Sequence, residues 1–124
     1  MSASNPLNGT WYSSVGSKLD LEVNGSELKG KFSSTQDPSG PVPVFGSVAR
    51  SGDPKSKFLP VAFSASWPAG KDYGPSVTSY TGQYTNENDQ EQIEVIFLLA
   101  NQVESTVLWK STSIASEIFK RTHP

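Results

Sequence analysis

Ser76, Thr78 and Tyr80 fall at alternate positions in the stretch Ser76-Val77-Thr78-Ser79-Tyr80-Thr81-Gly82-Gln83-Tyr84. In a β-strand successive side chains point to opposite faces, so these three share one face. Two hydroxyls and a phenol in a row suit non-covalent capture: oriented hydrogen bonds beside an aromatic surface. They make a poor dry core, because a buried hydroxyl without a partner costs about 1–3 kcal/mol. On the strand alone the row fits two settings, a solvated outer face or the inner wall of a ligand-holding barrel. Catalytic chemistry is disfavoured from the start. The chain has no cysteine, and its one histidine, His123, lies next to the C-terminal Pro124, where a frayed terminus is expected. A serine nucleophile would lack its ordinary base, and the usual metal ligands are missing.

The chain is 124 residues long with a formal net charge of −2, which suits one domain (1–124, core about 8–121). Its ten basic residues are scattered, so no phosphate-tracking patch forms and nucleic acid is not an expected partner. No apolar run approaches the roughly 20 residues that span a bilayer, so no membrane partner is expected. The start, Met1-Ser2-Ala3-Ser4-Asn5-Pro6, has no basic and hydrophobic signal region. The expected location is cytoplasmic, or secreted with a signal peptide already removed. Asn8-Gly9-Thr10 and Asn24-Gly25-Ser26 fit the glycosylation sequon, although turn chemistry alone explains the Asn-Gly pairs.

The elements that must position these side chains read as all-β. Leu19, Leu21 and Val23 alternate with Lys18, Asp20 and Glu22, the period-two pattern of a strand wet on one side. Asn24-Gly25 follows, a strong signal for a two-residue hairpin turn. Glu27 to Ser34 alternates again, with Leu28, Gly30, Phe32 and Ser34 on one face. Further strands are expected at about Gly9–Val15, Val42–Arg50, Phe58–Trp67, Ser76–Thr85, Gln92–Ala100 and Glu104–Thr112. Turn-rich stretches separate them at 36–41, 51–55, 68–72 and 86–89. Pro43 and Pro60 fall inside two of these strands, which are expected to begin late or carry bulges. Apart from a turn near Ser113–Glu117 no helix is expected. Eight sequential strands with short links suggest an antiparallel up-and-down β-barrel, which has no free edges and can hold one small ligand. Ile96 and Leu98 point opposite to Phe97, hence outward, and two outward aliphatics suggest a subunit interface.

Gly9-Thr10-Trp11-Tyr12 resembles the Gly-x-Trp that opens the first barrel strand in lipocalins, fatty-acid-binding proteins and avidins. Further segments narrow the resemblance to the avidin and streptavidin family: Val15-Gly16-Ser17, Leu28-x-Gly30-x-Phe32-x-Ser34, Ser76-x-Thr78-x-Tyr80-Thr81-Gly82-Gln83-Tyr84, and Trp109-Lys110-Ser111-Thr112 with Glu117-Ile118-Phe119-Lys120 after it. They occur in order, at family spacing, from Gly9 to about Lys120.

The resemblance implies non-covalent, high-affinity binding of biotin in the barrel mouth, with no cofactor and no enzymatic step. By position, Ser13, Ser17 and Phe32 stand where the family places three donors to the ureido oxygen, commonly asparagine, serine and tyrosine. Only Ser17 is kept, and Phe32 cannot donate. Ser34 and Glu117 stand where a hydroxyl and an aspartate face the ureido nitrogens. Trp67, Tyr80, Phe97 and Trp109 match the aromatic positions around the ring system. Thr78 and Ser76 match the thioether contact and the tail hydroxyl. Trp109 in this family usually reaches a neighbouring subunit's pocket, which implies a homotetramer, with a dimer as the lesser assembly. The eroded donors cost about one to three powers of ten in affinity.

Trp11 reads as a core plug at the closed end. Trp67, Phe97 and Trp109 fit ordinary core or interface as well as a pocket, and Glu117 fits an exposed charge or a cap. Function is expected to be capture of biotin, withholding a vitamin from competitors. The alternative is an avidin-fold lectin or other small-ligand binder whose altered pocket takes sugar. A lipocalin-like carrier of an apolar molecule fits less well with the hydroxyls of Ser34, Ser76 and Thr78.

Overall fold

The computed structural model describes residues 5–35, 40–49, 57–69, 75–101 and 112–124. Eight antiparallel strands run β1 (Gly9–Tyr12), β2 (Lys18–Asn24), β3 (Glu27–Ser33), β4 (Val42–Val48), β5 (Phe58–Trp67), β6 (Ser76–Glu87), β7 (Gln90–Asn101) and β8 (Thr112–Lys120). Each pairs with its neighbour in sequence, and β8 returns to β1, so the sheet closes into a barrel. The up-and-down barrel expected from the alternating pattern is the fold observed, with no helix among the described residues.

Alternation decides which side chains fill the interior. Leu19 and Leu21 of β2, Leu28 and Phe32 of β3 and Val44 and Val48 of β4 are buried, while Lys29, Lys31 and Glu22 face out. On β6, Thr78, Tyr80 and Tyr84 are buried, so the hydroxyl row faces inward and the solvated-face reading falls.

The two described tight hairpins differ in kind. Between β2 and β3, Asn24 pairs with Glu27, so the central residues are Gly25-Ser26 rather than Asn24-Gly25. Gly25 takes φ 66°, and Ser26 stays in the ordinary negative range, as in a turn with glycine at its first central position. Between β6 and β7 the central residues are Asn88 and Asp89, with φ of 54° and 61°. Two left-handed residues in succession match the strand twist, and Asn and Asp tolerate that region.

Several strands depart from expectation. β1 ends at Tyr12 and not Val15, because Ser13 N–H turns to the carbonyl of Ser17 (2.9 Å) and Gly16 N–H to that of Ser13 (3.0 Å). Pro43 is the second residue of β4 and Pro60 the third of β5, so neither strand begins after its proline. Both are exposed, and each sits beyond one end of the β4–β5 ladder, which runs from Val44↔Ala65 to Val48↔Val61. The Pro60 carbonyl still accepts from Ala49 N–H (3.0 Å) past that end, and on their other sides Pro43 is in register with Lys31 and Pro60 with Gln83. The strand placed at Glu104–Thr112 lies, apart from Thr112, outside the described residues, as do most of the turn stretches 36–41, 51–55 and 68–72. The strand that closes the barrel is Thr112–Lys120, so the stretch Ser113–Glu117 is extended and not a turn.

The closing seam is narrow: β1 and β8 share only the register Tyr12↔Lys120. Side chains reinforce it. Trp11 is fully buried and its indole N–H donates to the Leu7 carbonyl (2.9 Å), the plug expected at the closed end. Arg121, just after β8, lays its guanidinium 3.7 Å from the Trp11 ring centroid. It also donates to the carbonyls of Thr10 and Pro6 and pairs with Glu91 at 3.2 Å. Glu91 in turn accepts from the Tyr84 hydroxyl (2.9 Å). Gly9 belongs to this clasp: at φ 116° a Cβ there would lie 2.9 Å from the Arg121 guanidinium, so the glycine before Trp11 makes room for the arginine over it. His123 packs edge-on against Tyr12, with ring centroids 5.0 Å apart.

Candidate functional site

A cavity of about 350 Å³ opens at the end of the barrel away from the Trp11 plug. The β1–β2 turn supplies Ser13, Val15 and Ser17. The tight turn itself points the serines inward, and both are buried. Phe32 comes from β3 and Ser34 from the residue after it; Trp67 comes from the last position of β5. Strand β6 contributes Ser76, Thr78 and Tyr80, β7 contributes Phe97 and Leu99, and β8 contributes Glu117 and Phe119.

The strands bring together ten of the eleven residues named from the sequence, all but Trp109, which lies outside the described residues. Val15, Leu99 and Phe119 were missed. Leu99 and Phe119 each stand two residues beyond a named one on the same strand, Phe97 and Glu117, so the alternation that placed those two also places them. Val15 sits in an irregular turn and is exposed at the mouth, where periodicity carries no signal.

The walls are chiefly aromatic. Tyr80 lies near-parallel to Phe63 (4.8 Å between centroids) and to Phe32 (6.0 Å). Phe32 meets Trp67 edge-on at 5.4 Å and Phe119 edge-on at 6.0 Å, and Phe97 tilts against Tyr80 at 5.4 Å. These are the separations at which rings attract beyond simple burial. Phe32, the position without a donor, is therefore a packed element of the floor.

The polar groups are held in place. The Trp67 indole N–H donates to Thr78 Oγ1 at 3.0 Å, and Thr78 is hydrogen-bonded to Tyr80. Burial, the largest effect, pushes the Tyr80 phenol up to about 12; the Thr78 hydrogen bond opposes this and the charge of Glu117 adds to it. Tyr80 is thus a neutral hydroxyl at any ordinary pH. Ser13 Oγ accepts from Ser17 N–H (3.0 Å). Ser17 Oγ accepts from Thr35 N–H (3.0 Å) and is shared with Thr35 Oγ1 (3.3 Å). One Glu117 oxygen accepts from Ser14 N–H (3.1 Å) and Ile118 N–H (3.0 Å), which fixes the carboxylate and leaves it acceptor capacity to spare. A concave, ring-lined chamber with a few fixed polar groups is built to hold a small molecule by stacking and oriented hydrogen bonds.

The family model of the Avidin family matches residues 1–122. No curated protein matches the chain. With nearly its whole length matched, the chain belongs to the avidin family, whose members are binding proteins.

Proposed function

We propose that this avidin-family chain captures biotin non-covalently in the open end of its barrel and works as a homotetramer, or failing that a dimer. One observation carries the reading: a cavity of about 350 Å³ in which Phe32, Trp67, Tyr80, Phe97 and Phe119 surround a small set of hydroxyls and one carboxylate. Stacking against these rings supplies most of the affinity. Ser17, Ser34, Thr78 and Glu117 orient the bicyclic head, and Ser76 meets the tail at the mouth. No bond is made or broken, so the role is sequestration of a vitamin.

Assembly is supported by the outer face of β7 and β8. Leu98 stands in register with Ile114, Ile96 lies two residues from Leu98 on β7, and Ile118 lies diagonal to Ile96 on β8, beyond Ser116. All four are exposed, Ile114 by 71%. Four exposed aliphatics grouped on one sheet face suit a second copy of the chain, and in such an assembly Trp109 would complete a neighbour's pocket.

Retention on a biotin resin with release by free biotin, together with sedimentation at the mass of an oligomer, tests the reading. The lectin alternative, which the missing donor at Phe32 favours, predicts instead a signal on a glycan array and passage through the biotin resin.

A further inference from the structure

Two asparagines of the chain, Asn8 and Asn24, each precede a glycine. An Asn-Gly pair carries latent chemistry: the glycine's backbone nitrogen can attack the asparagine's own side-chain carbonyl. Glycine favours the attack because it has no Cβ to crowd the approach and its backbone turns freely. The fold treats the two pairs in opposite ways.

Asn8 is committed to the sheet. Its Oδ1 accepts from Val23 N–H at 2.7 Å, and its backbone N–H donates to the Asn5 carbonyl at 3.1 Å. The residue is half-buried, and the following Gly9 is in register with Leu21 and lies against the Arg121 guanidinium. Turning Cγ of Asn8 onto the Gly9 nitrogen draws Oδ1 away from β2.

Asn24 is exposed at the end of β2, and Gly25 after it is exposed too. The Asn24 side chain makes no hydrogen bond among the described residues. Asn24 and Glu27 close the two-residue turn in register. In such a turn the closing bond runs from the first carbonyl to the fourth N–H, which leaves the second N–H outside the ladder. The Gly25 N–H accordingly donates to no group among the described residues. Carbonyl carbon and attacking nitrogen are adjacent, unpaired and in water.

We propose that Asn24 is a self-modification site of the folded protein, converted to aspartate and isoaspartate with water as the co-reactant. The Gly25 nitrogen gives its proton to solvent base and bonds to Asn24 Cγ. The Cγ–Nδ2 bond breaks, and Nδ2 takes a proton from solvent and leaves as ammonia. Water then opens the cyclic imide at either carbonyl. Breaking the new bond to Cγ gives aspartate; breaking the original peptide bond gives isoaspartate, with the chain running through Cγ. Either product adds one negative charge to a chain of formal net charge −2. That charge is set opposite Glu27, where like charges are unfavourable. The hairpin lies at the end of the barrel away from the cavity, so the modification is independent of what the cavity holds.

The test holds the folded full-length protein in mildly alkaline buffer beside the same chain unfolded in guanidinium chloride. Peptide mapping by mass spectrometry follows positions 8 and 24 with time and separates aspartate from isoaspartate. In the unfolded chain the two Asn-Gly pairs are expected to react at similar rates. In the folded protein Asn24 is expected to react about tenfold faster than Asn8 or more, because Asn8 must wait for local opening. Comparable rates at the two positions in the folded protein would overturn the proposal. So would an Asn24 that stays intact in the folded protein, whether or not the unfolded chain reacts.

Discussion

The indole N–H of Trp67 donates to Oγ1 of Thr78 across 3.0 Å, joining the last residue of β5 to the inner face of β6. The two strands are paired from Phe58↔Thr85 to Trp67↔Ser76, so this bond fixes the tryptophan ring where backbone pairing stops. Thr78→Val keeps the shape and removes the acceptor. With the indole N–H left without a partner in a half-buried site, the variant is expected to lose about 1–3 kcal/mol of stability and to bind ligand more weakly. Thermal melts and biotin titration check this, and Thr78→Ser is expected to recover most of both.

Phe32→Tyr restores a hydroxyl at a floor position already shaped for a ring by Trp67, Tyr80 and Phe119. One added neutral hydrogen bond is worth about 0.5–1.5 kcal/mol, so biotin is expected to bind up to about tenfold more tightly. Competition against wild-type protein for labelled biotin measures the gain.

Arg121 bridges the barrel seam through Trp11, Glu91 and two carbonyls of the N-terminal segment, where β1 and β8 share a single register pair. Arg121→Ala is expected to destabilise the protein by about 2–4 kcal/mol, combining a lost cation–π contact with hydrogen bonds to a charged group. Arg121→Lys recovers only part, since an ammonium cannot reproduce the flat fork over the indole. Denaturant unfolding of the three proteins tests the order.

Tyr80 and Tyr84 are both pushed up to about 12, chiefly by burial, with the Glu91 hydrogen bond adding at Tyr84. The folded protein holds these protons more tightly than the unfolded chain, where the ordinary value is 10. Below pH 10 their contribution to stability is complete. Between pH 10 and 12 the unfolded chain ionises first, so stability falls. Tyrosinate absorbance and denaturation midpoints followed over this window check it, and Tyr80→Phe with Tyr84→Phe is expected to flatten the fall.

Most of the barrel was legible because its strands obey a clean period of two. The stretch Leu19 to Val23 alternates apolar with charged residues and appears as read, whereas the row of Ser76, Thr78 and Tyr80 fitted either face on its own and turns inward in the barrel. β8 was misplaced for a physical reason: Ile114 and Ile118 face outward and are exposed while Glu117 lines the cavity, so the usual pattern of apolar inside and charged outside is inverted on this strand. The β1–β2 turn was hidden because its bonds are between Ser13, Gly16 and Ser17, a local closure that alternation does not encode. The cavity itself was legible through the resemblance rather than through composition. What the residue pattern did not disclose is the state of its polar groups, such as Trp67 spent on Thr78, 11 residues on, and Glu117 tied to Ser14, 103 residues back.

Isothermal titration of the purified protein with biotin gives affinity and sites per chain together and tests the proposed capture directly. Saturation near one site per chain with submicromolar affinity is expected, the rings of Trp67 and Phe97 outweighing the missing donor at Phe32. Absence of heat at millimolar biotin, or binding weaker than about 0.1 mM (roughly −5.5 kcal/mol), would contradict it and leave an avidin-family barrel serving a different ligand.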